Sequence, residues 1–244
     1  MVIDNLNALI DKSGYLKIPL FHGTSDFFLD SIKQFGLGGY RDLQLFDWDI
    51  LQALMAALAI PENHCPAYEE QKWILEKMLR SRESARPNYW SYGDVYLSPS
   101  ENTAINYATR NEVCSEFLSS VKFAYDHLIA TNVEAARKII SQSHALDAVF
   151  SHEHRPILIQ VDSVHVDSLA AENGADAMAQ LEDMGYAWDN WPDEDKSLLI
   201  NGVLQQHNFR LQKPAGVAQL KVYCLNENHE KSLCNLRVSP SAVP

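Results

Sequence analysis

The chain has 244 residues, of which 46% are hydrophobic and 21% are charged, as is usual for a globular protein. Its 32 acidic and 20 basic side chains give a net charge of −12, which argues against a general affinity for nucleic acid or anionic membranes. No apolar run is long enough for a membrane span, and the first residues lack the basic and apolar regions of a secretory signal. The sequence therefore predicts a cytoplasmic protein with no membrane partner.

The cysteines and histidines give no metal motif. Four cysteines are scattered without a C-x-x-C pair, so neither a zinc site nor a disulfide framework is predicted, and free thiols are expected: Cys65, Cys114, Cys224 and Cys234. His152 and His154 lack the i, i+4 spacing that places two ligands on one helical face. The basic residues between Lys72 and Arg86 fit the solvated face of a helix.

The first half of the chain alternates helical and extended patterns. Apolar residues at helical spacing predict a helix over 2–12, and Pro19 within an apolar run favours a short strand over 17–22. Ser25 is a candidate cap for a helix over 26–35, which Gly36 ends. Further helical segments are expected over 43–60 and 67–84.

The second half contains the strongest strand signals. Strands are predicted over 94–98, 156–161 and 218–224, and 156–161 has the continuous apolar character of a buried strand. A helix follows Ser98 or Ser100, residues 112–148 read as helical, 174–200 as a loop-and-helix insert, and 238–244 as a frayed tail. These patterns predict an α+β fold with one domain over 1–244, in which about 40–87 and 110–153 are helical insertions.

Three segments carry residues suited to chemistry. They are Phe21–Thr24 with the letters F-H-G-T, the stretch from Tyr92 through Ser98 to Ala108, and Gln219–Tyr223. Taken singly, a His-Gly pair is usually part of a turn, and a tyrosine in a strand usually serves packing.

Together and in this order, the segments resemble the diphtheria-toxin-like and poly(ADP-ribose) polymerase-like ADP-ribosyltransferases. That superfamily is recognised by a His, a Tyr and a Glu, Asp or Gln on three separate strands. His22-Gly23-Thr24 is similar to its first-strand H-G-[ST] motif, and Phe35-Gly36-Leu37 to the end of the helix that follows. Tyr96 and Tyr107, eleven residues apart, resemble its paired tyrosines. Gln219, four residues before Tyr223, falls where its last motif carries the acidic residue.

The resemblance covers about a third of the chain and implies both a fold and an activity. The implied fold is an ADP-ribosyltransferase-like split β-sheet core with helical insertions. The implied enzyme is an NAD-dependent mono-ADP-ribosyltransferase that uses NAD as co-substrate, without a metal. The implied catalytic residues are His22, Tyr96 and Gln219, and the implied NAD-binding residues are His22, Gly23, Thr24, Tyr96, Ala104 and Tyr107.

The residue types suit cleavage of the nicotinamide–ribose bond, which depends on positioning and on stabilising positive charge. Without a Cβ, Gly23 would let its backbone N–H and C=O approach the nicotinamide carboxamide. Tyr96 and Tyr107 could stack on the two faces of the nicotinamide ring. By resemblance, His22 would bind a ribose hydroxyl and Thr24 the adenosine half. Because Gln219 brings no negative charge, transfer of a single unit is expected rather than polymer synthesis.

The acceptor and the biological role are open at the level of sequence. By resemblance, the loop over about 205–217 faces a macromolecular acceptor, either protein or nucleic acid, and chains of this kind are often bacterial or phage toxins or defence effectors with an inhibitory antitoxin partner. The alternatives are an NAD-binding pseudoenzyme or interaction module, and an RNA 2′-phosphotransferase-like enzyme. The latter needs clustered arginines, and only Arg41 and Arg110 lie near the motifs. A hydrolase built on His22 lacks a G-x-S-x-G motif.

Overall fold

The computed structural model of the protein describes residues 6–40, 43–83, 93–111, 113, 115–172 and 174–234. The predicted tail 238–244, the start of the helix predicted over 2–12, Cys114 and Arg41 lie outside these ranges. The described residues divide into two compact units, the first drawn from 1–41, 94–110 and 155–244 and the second from 42–93 and 111–154. The second unit therefore comes from the two segments in which the sequence predicts helical insertions.

All strands of the described residues belong to the first unit and pair in antiparallel fashion. The strands are β1 (Leu20–Ser25), β2 (Tyr96–Leu97), β3 (Pro156–Val161), β4 (Leu169–Ala171), β5 (Phe209–Leu211), β6 (Leu220–Leu225) and β7 (Lys231–Leu233). One sheet has the strand order β1-β3-β6-β7 and the other the order β2-β5-β4. Together with the helices, these two small sheets confirm the α+β class.

The helices are divided between the units. The second unit contains α3, α4, α6, α7 and α8, and the first contains the others. Throughout the described residues, no helix combines the length and the apolar character needed to cross a membrane. The helices are α1 (Leu6–Leu9), α2 (Leu29–Phe35), α3 (Trp48–Leu58), α4 (Pro66–Glu83), α5 (Glu101–Arg110), α6 (Glu116–Thr131), α7 (Val133–Ile140), α8 (His144–Ser151), α9 (Ala177–Asp189) and α10 (Lys196–Leu198), and a π-helix over Leu199–Val203 follows α10.

The centre of the first unit is strand β3. Ile157, Leu158 and Ile159 are fully buried, because the main core covers one face of the strand and α5 the other. The main core also takes apolar side chains from the second sheet, including Leu97 and Phe209. Burying each such side chain contributes about 1.5–3 kcal/mol. The continuous apolar pattern of 156–161 therefore gave the correct strand with its correct bounds.

Helix α5 begins where a serine caps it and then packs closely on β1. The Ser100 hydroxyl accepts a hydrogen bond from the Thr103 backbone N–H at 3.2 Å, as expected for a residue at the helix start. Ala104 and Ala108, one turn apart, are buried against Phe21 and Leu158 of the sheet. Small side chains at these two positions let the helix backbone approach the strand.

Several predictions about local structure were wrong. The strand expected over 17–22 runs from Leu20 to Ser25, and the last long strand starts at Leu220, after a 3₁₀ turn over Val217–Gln219. The segment predicted as the acceptor loop, 205–217, contains β5, the central strand of its sheet.

The expectation of free thiols was also wrong for one pair of cysteines. Cys224 and Cys234, whose Cα atoms are 5.8 Å apart, form a disulfide across the β6–β7 hairpin. Among the described residues, Cys65 has a free thiol. Antiparallel pairing of β6 with β7 brings the two cysteines together, although ten positions separate them in the sequence.

We predict that Gly23→Ala destabilises the protein. A Cβ at Gly23 would overlap the carbonyl oxygen of Ala104 and come within 2.9 Å of the Ala108 nitrogen. Overpacking of this kind typically lowers the free energy of unfolding by about 1–3 kcal/mol. Chemical denaturation measures the loss.

Gly202→Ala is the matched control, because a Cβ at Gly202 meets nothing within 4 Å. This variant should change the free energy of unfolding by less than about 1 kcal/mol. Equal effects of the two substitutions would contradict the close packing of α5 on β1.

Candidate functional site

Among the described residues, the two sheets of the first unit are joined by one backbone bridge, between Phe21 of β1 and Ser98, the residue that follows β2. The Phe21 N–H donates to the Ser98 carbonyl at 2.7 Å, and the Ser98 N–H donates to the Phe21 carbonyl at 2.8 Å. On its other edge, β1 pairs with β3 along its whole length, from Leu20 to Ser25. Strands β1 and β2 therefore touch at one point and separate beyond it.

The backbone of Gly23 faces this separation. In an antiparallel strand the N–H and C=O of successive residues point to opposite edges. The backbone N–H and C=O of Phe21 point toward β2, so those of Gly23 do so too. The backbone N–H and C=O of His22 and Thr24 point toward β3. Among the described residues, no strand pairs with Gly23 on this edge. A buried glycine thus presents one donor and one acceptor at an unpaired strand edge.

Glycine is needed at position 23 for a different reason from the one that the sequence suggested, which was close approach of a ligand to the backbone. Its Cβ position points at α5, where the Ala104 carbonyl leaves no room for a side chain. The N–H and C=O lie in the plane of the sheet, at right angles to that direction. Glycine is therefore required by the packing of α5. The backbone N–H and C=O at the strand edge are not covered by that packing.

His22 links the two separated strands. Its Nδ1 lies 2.8 Å from the Tyr96 carbonyl oxygen, and it must donate there because a carbonyl only accepts. Burial lowers the pKa of His22 below its ordinary value, and the hydrogen bond to Tyr96 opposes that shift without cancelling it. The neutral imidazole then carries its lone pair on Nε2, to which no described residue hydrogen-bonds.

The second sheet has one apolar and one polar face. Leu97, Phe209 and Leu211 point into the core. Tyr96 and Arg210 are directly opposite each other on β2 and β5, so their side chains share the other face. There the Arg210 guanidinium donates to the Asp94 carboxylate at 3.3 Å.

Asn208 and Glu172 extend this polar face. The Asn208 amide donates to the Glu172 carboxylate at 3.1 Å, and the Glu172 backbone N–H donates to the Asn208 carbonyl at 3.1 Å. Asn208 directly precedes β5 and lies two residues before Arg210, the spacing of residues that share one face of an extended chain. Sequence reasoning missed this group, although the polar–apolar alternation over 208–211 was a signal for a half-buried strand.

The remaining residues suggested by the resemblance lie near Gly23 in different settings. Thr24 is buried on the same face of β1 as His22. Ala104 is buried under Gly23 and serves the packing of α5. Tyr107 lies three residues after Ala104 on the flank of α5 and is 37% exposed. The structure therefore brings His22, Gly23, Thr24, Tyr96 and Ala104 to one region, with Tyr107 at its margin.

Gln219 is not brought to this region. It precedes β6, which β3 separates from β1, and it lies three residues from Val222, the residue in register with Ile159 and His22. Its side-chain oxygen accepts from the Gly216 N–H at 3.0 Å, and its side-chain nitrogen donates to the Ser163 carbonyl at 2.9 Å. The Gln219 amide therefore stabilises a turn next to β6. This turn and the gap between β1 and β2 lie on opposite sides of β1.

The described residues contain no group of three metal-ligating side chains arranged to hold an ion. Comparison with protein-family models, with curated proteins and with solved structures finds no match to this chain. The properties of the candidate site therefore rest on its own geometry.

We predict that Gln219→Ala lowers the stability of the protein. Loss of two hydrogen bonds, each contributing about 0.5–1.5 kcal/mol, should lower the free energy of unfolding by about 1–3 kcal/mol. Chemical denaturation measures the loss.

Gln212→Ala is the control, since Gln212 is exposed and only its backbone is hydrogen-bonded. Equal effects of the two substitutions would contradict a structural role of the Gln219 amide.

Proposed function

We propose that the protein is an NAD-dependent mono-ADP-ribosyltransferase, and that its two sheets form the split sheet of that fold. The observation that carries the proposal is the unpaired edge at Gly23, next to the His22–Tyr96 hydrogen bond. The resemblance of the His22, Tyr96 and Tyr107 segments to that superfamily supports it independently.

The unpaired backbone N–H and C=O of Gly23 suit a primary carboxamide. A carboxamide offers one acceptor oxygen and one N–H₂ donor in a single plane, which complements the N–H and C=O of one strand residue. We infer that the nicotinamide group binds in the separation between β1 and β2, where these two groups point. We infer that Tyr96 and Tyr107 stack against the nicotinamide ring when it is bound between the two strands.

His22 is suited to binding a hydroxyl group. Its Nδ1–H is fixed by the Tyr96 carbonyl, so the neutral ring can accept only at Nε2. The lowered pKa keeps this lone pair unprotonated at neutral pH. A ribose hydroxyl donating to Nε2 would be oriented relative to the carboxamide at Gly23.

The reaction needs stabilisation of positive charge. Cleavage leaves the electron pair of the C–N bond on nicotinamide and positive charge on the ribose, and the acceptor nucleophile then attacks the ribose carbon and loses its proton. The polar face of β2-β5-β4 carries two carboxylates, Asp94 and Glu172. Asp94 is neutralised by Arg210, so we assign charge stabilisation to Glu172, which Asn208 holds in place. Glu172 replaces Gln219 in this role.

The alternatives make different predictions about the same site. A pseudoenzyme or binding module would bind nicotinamide through Gly23 without releasing it from NAD⁺. An RNA 2′-phosphotransferase needs clustered arginines, and on the polar face of the described sheet Arg210 is paired with Asp94.

We predict that the wild type releases nicotinamide from NAD⁺ and that His22→Ala abolishes the release. Glu172→Gln should lower the rate at least about 100-fold, in line with the loss of one group that stabilises a transition-state charge. Its affinity for nicotinamide should stay within about twofold of the wild type, because Glu172 does not contact the carboxamide. Steady-state kinetics and calorimetric titration measure the two quantities.

Glu227→Gln is the matched control, because Glu227 is an exposed carboxylate in the β6–β7 turn.

Nicotinamide should bind more tightly than N,N-dimethylnicotinamide, which has no amide N–H to donate to the Gly23 carbonyl. Equal affinity for the two compounds, or wild-type turnover by His22→Ala, would contradict the proposal.

A further inference from the structure

The acidic residues of the chain are unevenly distributed. Between Arg155 and Lys196 the sequence contains ten Asp and Glu residues and no Lys or Arg. Six of the ten lie within 182–195: Glu182, Asp183, Asp189, Asp193, Glu194 and Asp195. The charge therefore concentrates where α9 ends and the turns toward α10 begin.

Lys196 is the one Lys or Arg residue of 182–203, and its ammonium group is turned inward. It donates to the carbonyls of Trp188 and, at 2.8 Å, Trp191, and it lies 4.8 Å from the centre of the Trp188 ring. These contacts fold residues 188–196 back on themselves. Of the carboxylates, Asp193 comes nearest to the ammonium, at 3.9 Å.

The same segment exposes large apolar side chains. Tyr186 is 64% exposed, Leu198 67%, Val203 48% and Trp191 38%. The stretch 182–203, which we name the acidic–apolar surface, therefore joins carboxylates to apolar groups that are in contact with water. Large exposed apolar side chains within one segment are a feature of interaction sites.

The acidic–apolar surface is attached to the candidate site. Its segment connects β4 to β5, the two strands that carry Glu172 and Asn208 near their ends. The Ser100 hydroxyl, at the start of α5, donates to the Asn201 side chain at 2.8 Å. The segment that carries the surface is therefore continuous with the second sheet and hydrogen-bonded to the start of α5.

We propose that the acidic–apolar surface binds a basic polypeptide that carries apolar side chains between its lysines or arginines. The carboxylates of the surface attract cations, and Tyr186, Trp191 and Leu198 provide apolar contacts. Nucleic acid and anionic phospholipid carry the same sign of charge as the surface and are repelled. A second copy of this face would be repelled for the same reason.

The test measures, by fluorescence anisotropy, how tightly a labelled peptide of alternating Lys and Leu residues binds to the full chain. Combined substitution Asp183→Asn, Asp189→Asn and Glu194→Gln should weaken binding at least about tenfold, and added salt should weaken wild-type binding. The control combines Glu62→Gln, Glu70→Gln and Glu134→Gln, three exposed carboxylates of the second unit, and should change binding less than about twofold.

The apolar component has its own pair of variants. Leu198→Ser should weaken binding of the Lys-Leu peptide, whereas Leu233→Ser, at a leucine of β7 that is 72% exposed, should not. Equal weakening by the two carboxylate triples, equal affinity for a Lys-Ser peptide, or tighter binding of a labelled oligonucleotide would each overturn the proposal. Because the assay measures binding alone, its outcome does not depend on whether the protein cleaves NAD⁺.

Discussion

The structure depends on the way strand β1 is shared between two sheets. Along one edge it pairs with β3 over its full length. Along the other, among the described residues, its backbone pairs only with Ser98, the residue after β2, through Phe21. Beyond that bridge the strands diverge, and the N–H and C=O of Gly23 are left without a partner strand. Backbone groups of a buried residue are rarely left unpaired, so this edge is suited to a ligand.

Two contacts keep the separation open and define its chemistry. On one side of β1, α5 packs so closely that only glycine fits at position 23. Across the separation, the His22–Tyr96 hydrogen bond fixes both the distance between the strands and the tautomer of the imidazole. The same residues that give the fold its packing therefore present a donor and an acceptor of the backbone together with an oriented Nε2.

The sequence predicted those parts of the molecule that depend on long apolar patterns. The buried strand over 156–161 was found because both of its faces are covered, which requires an unbroken apolar run. Strand β5 was missed because the alternation over 208–211, although it is of the strand type, is too short to distinguish a strand from a loop by itself. Gln219 was proposed as the third catalytic residue by resemblance alone, because it lies four residues before Tyr223, where the family's last motif carries its acidic residue.

Side-chain pairs between distant segments could not be predicted from local patterns. The Asn208–Glu172 and Arg210–Asp94 contacts join residues 36 and 116 positions apart, and only the order β2-β5-β4 brings them together. The Cys224–Cys234 disulfide likewise depends on the β6–β7 hairpin. By contrast, the closeness of His22 and Tyr96 was anticipated through resemblance to a known family and not through spacing.

Amide hydrogen exchange along β1 measures directly whether the Gly23 N–H lacks a partner strand. We expect the Gly23 amide to exchange at least about tenfold faster than the His22 and Thr24 amides, which point toward β3. Adding nicotinamide should then slow exchange at Gly23 and shift its amide resonance. Equal protection of the three amides in the free protein, or no response of Gly23 to nicotinamide, would show that the strand edge at Gly23 is not an open ligand site.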